Sequence, residues 1–268
     1  MKKIFNATKT LVDYNKELPY TTDKQEAEFM IVGGKKIDLD EFPRLKGIFK
    51  TGVGIDNLPF EEAKRRGVKI ELPSEQTKEI IYHETASFSV YLILNFLYQN
   101  KGVFESWEKH NREALQDKKI LIMGTGKIGS KVVKRLTPFA KVITYDPTAN
   151  EEEELIPLLL KADVVSLHLP LNQSTQSFFN KEKLAYLKDG ALLVNTSRGP
   201  IIDEEDLYNE LKSKRINAAI DVFWQEPYNG ILTTIPSEQL IKTPHIASTC
   251  KGFLDGLAAD FNIFYKQN

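Results

Sequence analysis

The most constraining stretch of the chain is KKILIMGTGKIGSKVVKRLTPFAKVITYDP, Lys118 to Pro147. An apolar run reads as a strand and turns through Gly124, Gly126 and Gly129. It continues with Ile128, Val132, Leu136 and Phe139 on one helical face. A second strand, Val142 to Tyr145, ends at Asp146. Strand, glycine turn, helix, strand and acid together make a dinucleotide-binding fingerprint, which a lone G-x-G-x-x-G does not. Gly124 permits a tight turn, Gly126 lets a pyrophosphate approach the backbone at a helix amino terminus, and Gly129 lets helix and strand pack closely. Asp146 accepts from an adenosine ribose and repels a 2′-phosphate, which favours NAD over NADP. The competing reading is another adenosine ligand, such as S-adenosylmethionine, held by the same kind of turn and acid.

The flanking sequence alternates in the same manner. Before the turn, KKIFNA, EFMIV, GIFK and VKIEL read as strands, separated by helical stretches at Leu39 to Leu45 and Pro59 to Arg66. After it come a helix around Glu151 to Lys161, strand DVVSLHL, helix Asn180 to Lys188, strand ALLVN, helix Asp203 to Lys214 and strand NAAIDV. This alternation predicts α/β architecture with parallel sheets. A long helix, Glu79 to Gln99, has apolar residues on more than one face and is expected to be buried on several sides. Leu254, Leu257, Phe261 and Phe264 predict a terminal helix packed on the body.

Three further places carry chemistry. In LVNTSRGPIIDEEDL, Arg198 lies between a buried strand and a helix, at the sheet edge where α/β folds bind ligands. Its planar fork suits a carboxylate, and a salt bridge to the following helix is the plainer alternative. Glu226 in DVFWQEP and His245 in TPHIAS each follow a strand-like segment, which directs them to that same edge. In contact, the carboxylate orients the imidazole and stabilises its cation. His83, His110 and His168 stand in no such setting. Lys50 opens KTGVGIDN, just before the glycine loop, where Gly52 and Gly54 either aim backbone N–H groups at an anion or form a plain turn.

With 268 residues the chain has room for one large or two ordinary domains. Its 36 basic and 37 acidic residues, net charge -1, argue against a nucleic-acid surface. The single cysteine, Cys250, excludes an intrachain disulfide and a cysteine-rich metal site and fits a reducing compartment. No metal site is expected. MKKIFNATKT lacks a signal-peptide apolar run, and Ala86 to Tyr98 is too short to span a bilayer. A soluble cytoplasmic protein without membrane partners is therefore expected.

GTGKIG, HLPLNQST, NTSRGPIIDEEDL, AAIDVFWQEP and TPHIAS, in this order and spacing, resemble the D-isomer-specific 2-hydroxyacid dehydrogenases, and KTGVGIDN resembles their substrate-domain glycine loop. The resemblance implies a doubly wound Rossmann cofactor domain, residues 84–248, and a smaller flavodoxin-like α/β substrate domain, residues 1–83 completed by 249–268. It implies NAD held by Gly124, Thr125, Gly126, Lys127, Ile128, Gly129, Asp146, Pro170, Thr175, Thr196, Asp221 and His245. Arg198 is then the catalytic group that binds the substrate carboxylate and polarises its carbonyl, His245 the acid/base, and Glu226 its partner. The Val53 and Gly54 backbone meets the same carboxylate.

The implied activity is interconversion of a small D-2-hydroxy acid and its 2-oxo acid, by a homodimer in which the long helix near Glu84 takes part. An NAD(H)-responsive binding protein or co-repressor on the same fold is the alternative. Relatives acting on phosphorylated or otherwise anionic substrates often carry a basic residue at the position of Lys50. A second anionic group contacting Lys50 makes 3-phosphoglycerate the leading specific substrate, and glycerate/hydroxypyruvate the other pair; a solvated strand-end lysine is the plainer reading. Two departures stand out: a chain shorter than most relatives, mainly in its substrate domain and tail, and Trp224 and Gln225 where acidic residues or proline are commoner.

Overall fold

The apolar runs read as strands pair in parallel throughout. The computed structural model describes residues 2–8 and 10–268. The chain divides into two compact units, Met1–Ile81 with Ser248–Asn268, and Tyr82–Ala247.

In the first unit, β1 (Ile4–Asn6), β2 (Tyr20–Thr21), β3 (Phe29–Val32), β4 (Gly47–Lys50) and β5 (Lys69–Glu71) form a sheet of order β2-β1-β3-β4-β5. This is the flavodoxin-like order. Helix α1 (Phe60–Arg66) stops at Gly67, whose φ of 69° is the left-handed cap a glycine supplies without strain. Helix α2 (Glu75–Leu97) begins four residues earlier than its apolar pattern predicts, because the Ser74 hydroxyl accepts from the Thr77 N–H and caps it. The stretch Leu39 to Leu45, predicted helical, forms only a 3₁₀ turn at Leu39–Glu41. Pro43 disfavours helical geometry at Phe42 and ends the turn there. The terminal helix α3 (Lys251–Gln267) is present as predicted and buries Phe253, Leu257, Phe261 and Phe264 against Ile4, Phe29 and Phe49.

The division between the units falls inside α2. In the second unit, β6 (Lys119–Met123), β7 (Lys141–Tyr145), β8 (Val164–Leu167), β9 (Leu192–Asn195), β10 (Asn217–Ile220) and β11 (Leu240–Lys242) form a sheet of order β11-β10-β9-β8-β6-β7. From β6 the chain goes to β7 on one side and then returns to β8 on the other, so the carboxyl ends of β6 and β8 flank a topological switch point. Strands β8 and β9 are buried along their whole length and separate two apolar layers. Ala86, Leu92 and Ile93 of α2 pack in one of these layers with Val132 and Leu136.

Phe139, expected on that buried face, is 51% exposed. The helix Gly129–Leu136 ends before Pro138, and Phe139 lies past its last turn. The acidic stretch from Glu151 splits into a 3₁₀ turn, Glu152–Glu154, and a short helix, Leu155–Leu159, with Pro157 in its first turn. Among the described residues no helix is long and apolar enough to cross a membrane, and no cluster of three or more His, Cys, Asp or Glu is placed to hold a metal ion.

Candidate active site

Most of the predicted site residues leave the carboxyl ends of the second unit's strands. The three glycines after β6 are there for different steric reasons. Gly124 has φ 89°, and a Cβ on it would lie 2.5 Å from the His168 carbonyl oxygen. A Cβ on Gly129 would lie 1.9 Å from the Gly124 oxygen, so only glycine allows helix and turn to close up. A Cβ on Gly126 would meet nothing within 4 Å. That open space above the backbone is what a pyrophosphate needs, and Thr125 and Lys127 are exposed beside it while Ile128 is half-buried.

Asp146, just past β7, receives four donors. Oδ2 accepts from Thr125 N (2.8 Å) and Oγ1 (3.0 Å), and Oδ1 accepts from Thr148 N (3.1 Å) and Oγ1 (2.7 Å). Partial burial works against its charge, but these donors outweigh it and take the pKa down to about 2. An anion is thus fixed where an adenosine ribose would lie, and it opposes a 2′-phosphate. The turn and this acid fit NAD.

His168 opens HLPLNQST directly after β8, but the sequence assigned it no role. Its carbonyl meets the glycine turn, its ring contacts the Ser166 hydroxyl at 2.9 Å, and burial pushes its pKa down to about 4. It is a neutral prop for the turn at neutral pH. Thr175 and Thr196 are turned to their own surroundings. Thr175 Oγ1 donates to the Pro170 carbonyl (2.6 Å) and accepts from Asn172 N (2.9 Å), closing that loop on itself and leaving Pro170 exposed. Thr196 Oγ1 pairs with the buried Ser89 hydroxyl of α2 at 2.8 Å.

Arg198 is held from below by Asn195, whose side chain donates to the Arg198 carbonyl (2.8 Å) and accepts from Ser197 N (2.9 Å). Its guanidinium donates to the Ser197 carbonyl at 2.7 Å. His245 Nδ1 lies 2.8 Å from Glu226 Oε2, and the other carboxylate oxygen accepts from Phe223 N at 3.1 Å. Burial opposes the Glu226 charge, yet the bond and field of His245, the Phe223 N–H and the field of Arg198 together lower its pKa. His245 and Arg198 thus both act on Glu226.

His245 has φ 54°, a left-handed backbone uncommon for a residue with a side chain, and fixed neighbours favour it. Asp221 supplies the fixing. Completely buried, it accepts from Thr243 Oγ1 (2.6 Å), Ile246 N (2.9 Å) and Ala247 N (2.9 Å), on both sides of His245. Burial raises its pKa in spite of those bonds. Asp221, expected beside a nicotinamide, first of all clamps the histidine loop.

Lys50, Val53 and Gly54 belong to the first unit. Lys50, expected to reach a second anionic group, is instead 3% exposed and donates to the Gly33 carbonyl (2.6 Å) and Asn57 Oδ1 (2.7 Å). Asn57 in turn donates to the Gly33 and Lys35 carbonyls. The lysine ties down both ends of the loop that carries Val53 and Gly54. A buried strand end turns its ammonium inward, which a polar residue at a strand terminus does not reveal in sequence.

Residues 95–247 match the family model described as D-isomer specific 2-hydroxyacid dehydrogenase, NAD binding domain. The chain belongs to this family. It is 33% identical over 221 residues to the hydroxypyruvate reductase of Thermotoga maritima, covering 76% of this chain and 71% of that protein. It is 34% identical over 253 residues to the glyoxylate reductase of Thermofilum pendens, covering 85% and 70%. The D-lactate dehydrogenase of Aquifex aeolicus, solved with NAD and lactic acid, superposes with a TM-score of 0.80 over 98% of this chain and 94% of that one, at 23% identity, a likeness of fold. This dehydrogenase is an NAD-dependent enzyme that interconverts 2-hydroxy and 2-oxo acids.

Proposed function

We propose that this dehydrogenase acts on a small 2-oxo acid with a single carboxylate, of the glyoxylate and hydroxypyruvate kind, with Arg198 as the carboxylate-binding group and His245 as the proton donor. The observation that carries the reading is the 2.8 Å contact between His245 Nδ1 and Glu226 Oε2. Facing an anionic carboxylate, Nδ1 keeps its hydrogen, so Nε2 is the nitrogen left to exchange a proton with the substrate oxygen. Glu226 orients the ring and stabilises the imidazolium. Arg198 grips the carboxylate and offsets charge developing on the carbonyl oxygen, supplying both orientation and electrostatics. Bound NADH supplies the hydride to the carbonyl carbon. The residues that would hold it are the 124–129 turn and Asp146, with Pro170, Thr196 and Asp221 bordering the same strand ends and Thr175 setting the shape of the Pro170 loop.

The single-carboxylate class follows from Lys50. Its ammonium is engaged by a carbonyl and an amide inside its own unit, which removes the support it lent to a phosphorylated substrate. Relatives include hydroxypyruvate and glyoxylate reductases as well as D-3-phosphoglycerate dehydrogenases, so the choice between the two classes rests on Lys50. NADH oxidation with glyoxylate, pyruvate, hydroxypyruvate and 3-phosphohydroxypyruvate is the test. The unphosphorylated acids are expected to lead in kcat/KM, and Arg198→Ala and His245→Ala to lose roughly 100-fold or more each while retaining NADH binding. Preference for the phosphorylated acid overturns the substrate class; near-normal turnover in either variant overturns the residue roles.

We also infer a homodimer, working in the reducing cytoplasm, that joins through the unit of residues 82–247. Tyr91 (53% exposed) lies on α2, and the hairpin beyond it, closed by the Val103–Glu108 bridge, displays Phe104 (79%) and Trp107 (73%). Aromatic side chains this exposed favour a protein partner. Light scattering of the wild type against Phe104→Ser/Trp107→Ser tests it, with a monomeric wild type as the refuting result.

A further inference from the structure

The segment Asp221 to Gly230 carries Glu226 but forms neither helix nor strand, so contacts outside regular structure must place it. Three contacts do so, and all lead back to the stretch that follows Arg198. A Cβ on Gly199 would lie 2.2 Å from the Phe223 carbonyl carbon and 2.6 Å from Trp224 N, so the two loops meet backbone to backbone. The Trp224 indole N–H donates to the Ile202 carbonyl at 2.8 Å. The Tyr228 hydroxyl donates to Glu204 Oε1 at 2.6 Å and accepts from Leu232 N at 2.9 Å. Its ring stacks on Phe223, centroids 4.5 Å apart and planes 23° apart.

We propose that Trp224 and Tyr228 are positioning residues, whose hydrogen bonds to Ile202 and Glu204 hold Glu226, and through it His245, in register with Arg198. The inference rests on the roles proposed above for those three residues. One bond joins the Glu226 loop to the Arg198 loop at Ile202 and the other joins it to Glu204, the first residue of the helix that follows, so together with the Gly199 contact they resist both sliding and rotation of the Glu226 loop. Burial and the neighbouring Glu204 push the Tyr228 hydroxyl up to about 12, so it remains a donor at any pH at which the enzyme works. Trp224 thus supplies the N–H that the Ile202 carbonyl accepts from. A phenylalanine there keeps the ring but carries no N–H for that carbonyl.

The test compares Trp224→Phe, Tyr228→Phe and Glu204→Gln with the wild type in kcat, in KM for NADH and hydroxypyruvate, and in the pH profile of kcat. Both aromatic variants are expected to lose about tenfold or more in kcat with KM for NADH little changed, the cost of a misplaced reacting group. The acid limb of kcat should move to higher pH, because a Glu226 no longer held against His245 regains an ordinary carboxylate pKa. Glu204→Gln keeps an acceptor for Tyr228 and is expected to keep both rate and profile. A wild-type acid limb and kcat in both aromatic variants overturns the proposal, even if their melting temperatures fall. Should Trp224→Phe not fold, Tyr228→Phe against Glu204→Gln gives the same decision. His245→Ala serves as the control: turnover surviving in it sinks the residue roles beneath the proposal, whereas turnover lost in it with unaltered aromatic variants sinks the positioning role alone.

Discussion

Replacing Asp221 with asparagine tests how the His245 loop is held. With the native geometry kept, the amide oxygen takes the place of Oδ1 and still accepts from Thr243 Oγ1 and Ile246 N, while the NH₂ faces the Ala247 N–H. That buried N–H loses its acceptor, at about 2 kcal/mol. The two surviving bonds pass from a charged acceptor to a neutral one, which removes about 1 kcal/mol more. Against this, the variant no longer buries a charge, and burial is the leading cause of the raised Asp221 pKa. That relief offsets part of the loss, so the variant is expected to be destabilised by less than about 3 kcal/mol. The catalytic loss should be larger in proportion. With φ 54° at His245 no longer enforced, the imidazole drifts from its working position, and a displacement near 1 Å costs about 100-fold in kcat. Urea unfolding followed by far-UV circular dichroism gives the first quantity, and saturating NADH oxidation the second. A midpoint matching wild type together with kcat within a factor of two would show that the loop stands without its buried acid. Asp221→Ala leaves all three donors unanswered and should cost about 3–5 kcal/mol.

The glycines of the turn separate folding from binding. Gly129→Ala drives a Cβ into the Gly124 carbonyl and should destabilise the protein by about 3 kcal/mol. Gly126→Ala has free space, should fold within about 0.5 kcal/mol of wild type, and should lose NADH affinity. Equal effects of the two on melting temperature and on NADH titration would refute this division. For Asp146, a folded-state pKa of about 2 against 3.8 means its stabilisation is present above pH 3.8 and is lost as pH falls through about 2. The difference in urea midpoint between wild type and Asp146→Asn should therefore shrink over that window, and a constant difference would count against the four-donor cradle. The same variant should also relax discrimination against NADP, measured as the ratio of kcat/KM values.

The parts of the molecule legible in sequence are those whose physics is local. The strand runs, the glycine turn and the terminal helix each follow from periodicity or from sterics within a dozen residues, and the structure contains them all. Where a single local conflict intervened, as with Pro43 inside Leu39 to Leu45 or Pro138 ahead of Phe139, the apolar pattern overreached and the proline decided the outcome. The site was legible as a set of residue types, but the direction of its hydrogen bonds was not. Thr175, Lys50 and Asp221 are all spent on backbone groups that only the folded chain brings within reach.

Strand β11 shows why the decisive contact lay beyond local reasoning. At three residues, with little apolar pattern, it was not predicted, yet its pairing with β10 sets Ile220 opposite Lys242. That register places Thr243 beside Asp221, whose carboxylate then grips both sides of His245. The 2.8 Å contact to Glu226, 19 residues earlier in the chain, depends on this non-local pairing and on the anchors of the loop that carries Glu226. A one-residue slip of β11 would turn Thr243 away from Asp221 and separate the pair. The proton-donating geometry is therefore a property of sheet register, reached through a short edge strand and a buried acid.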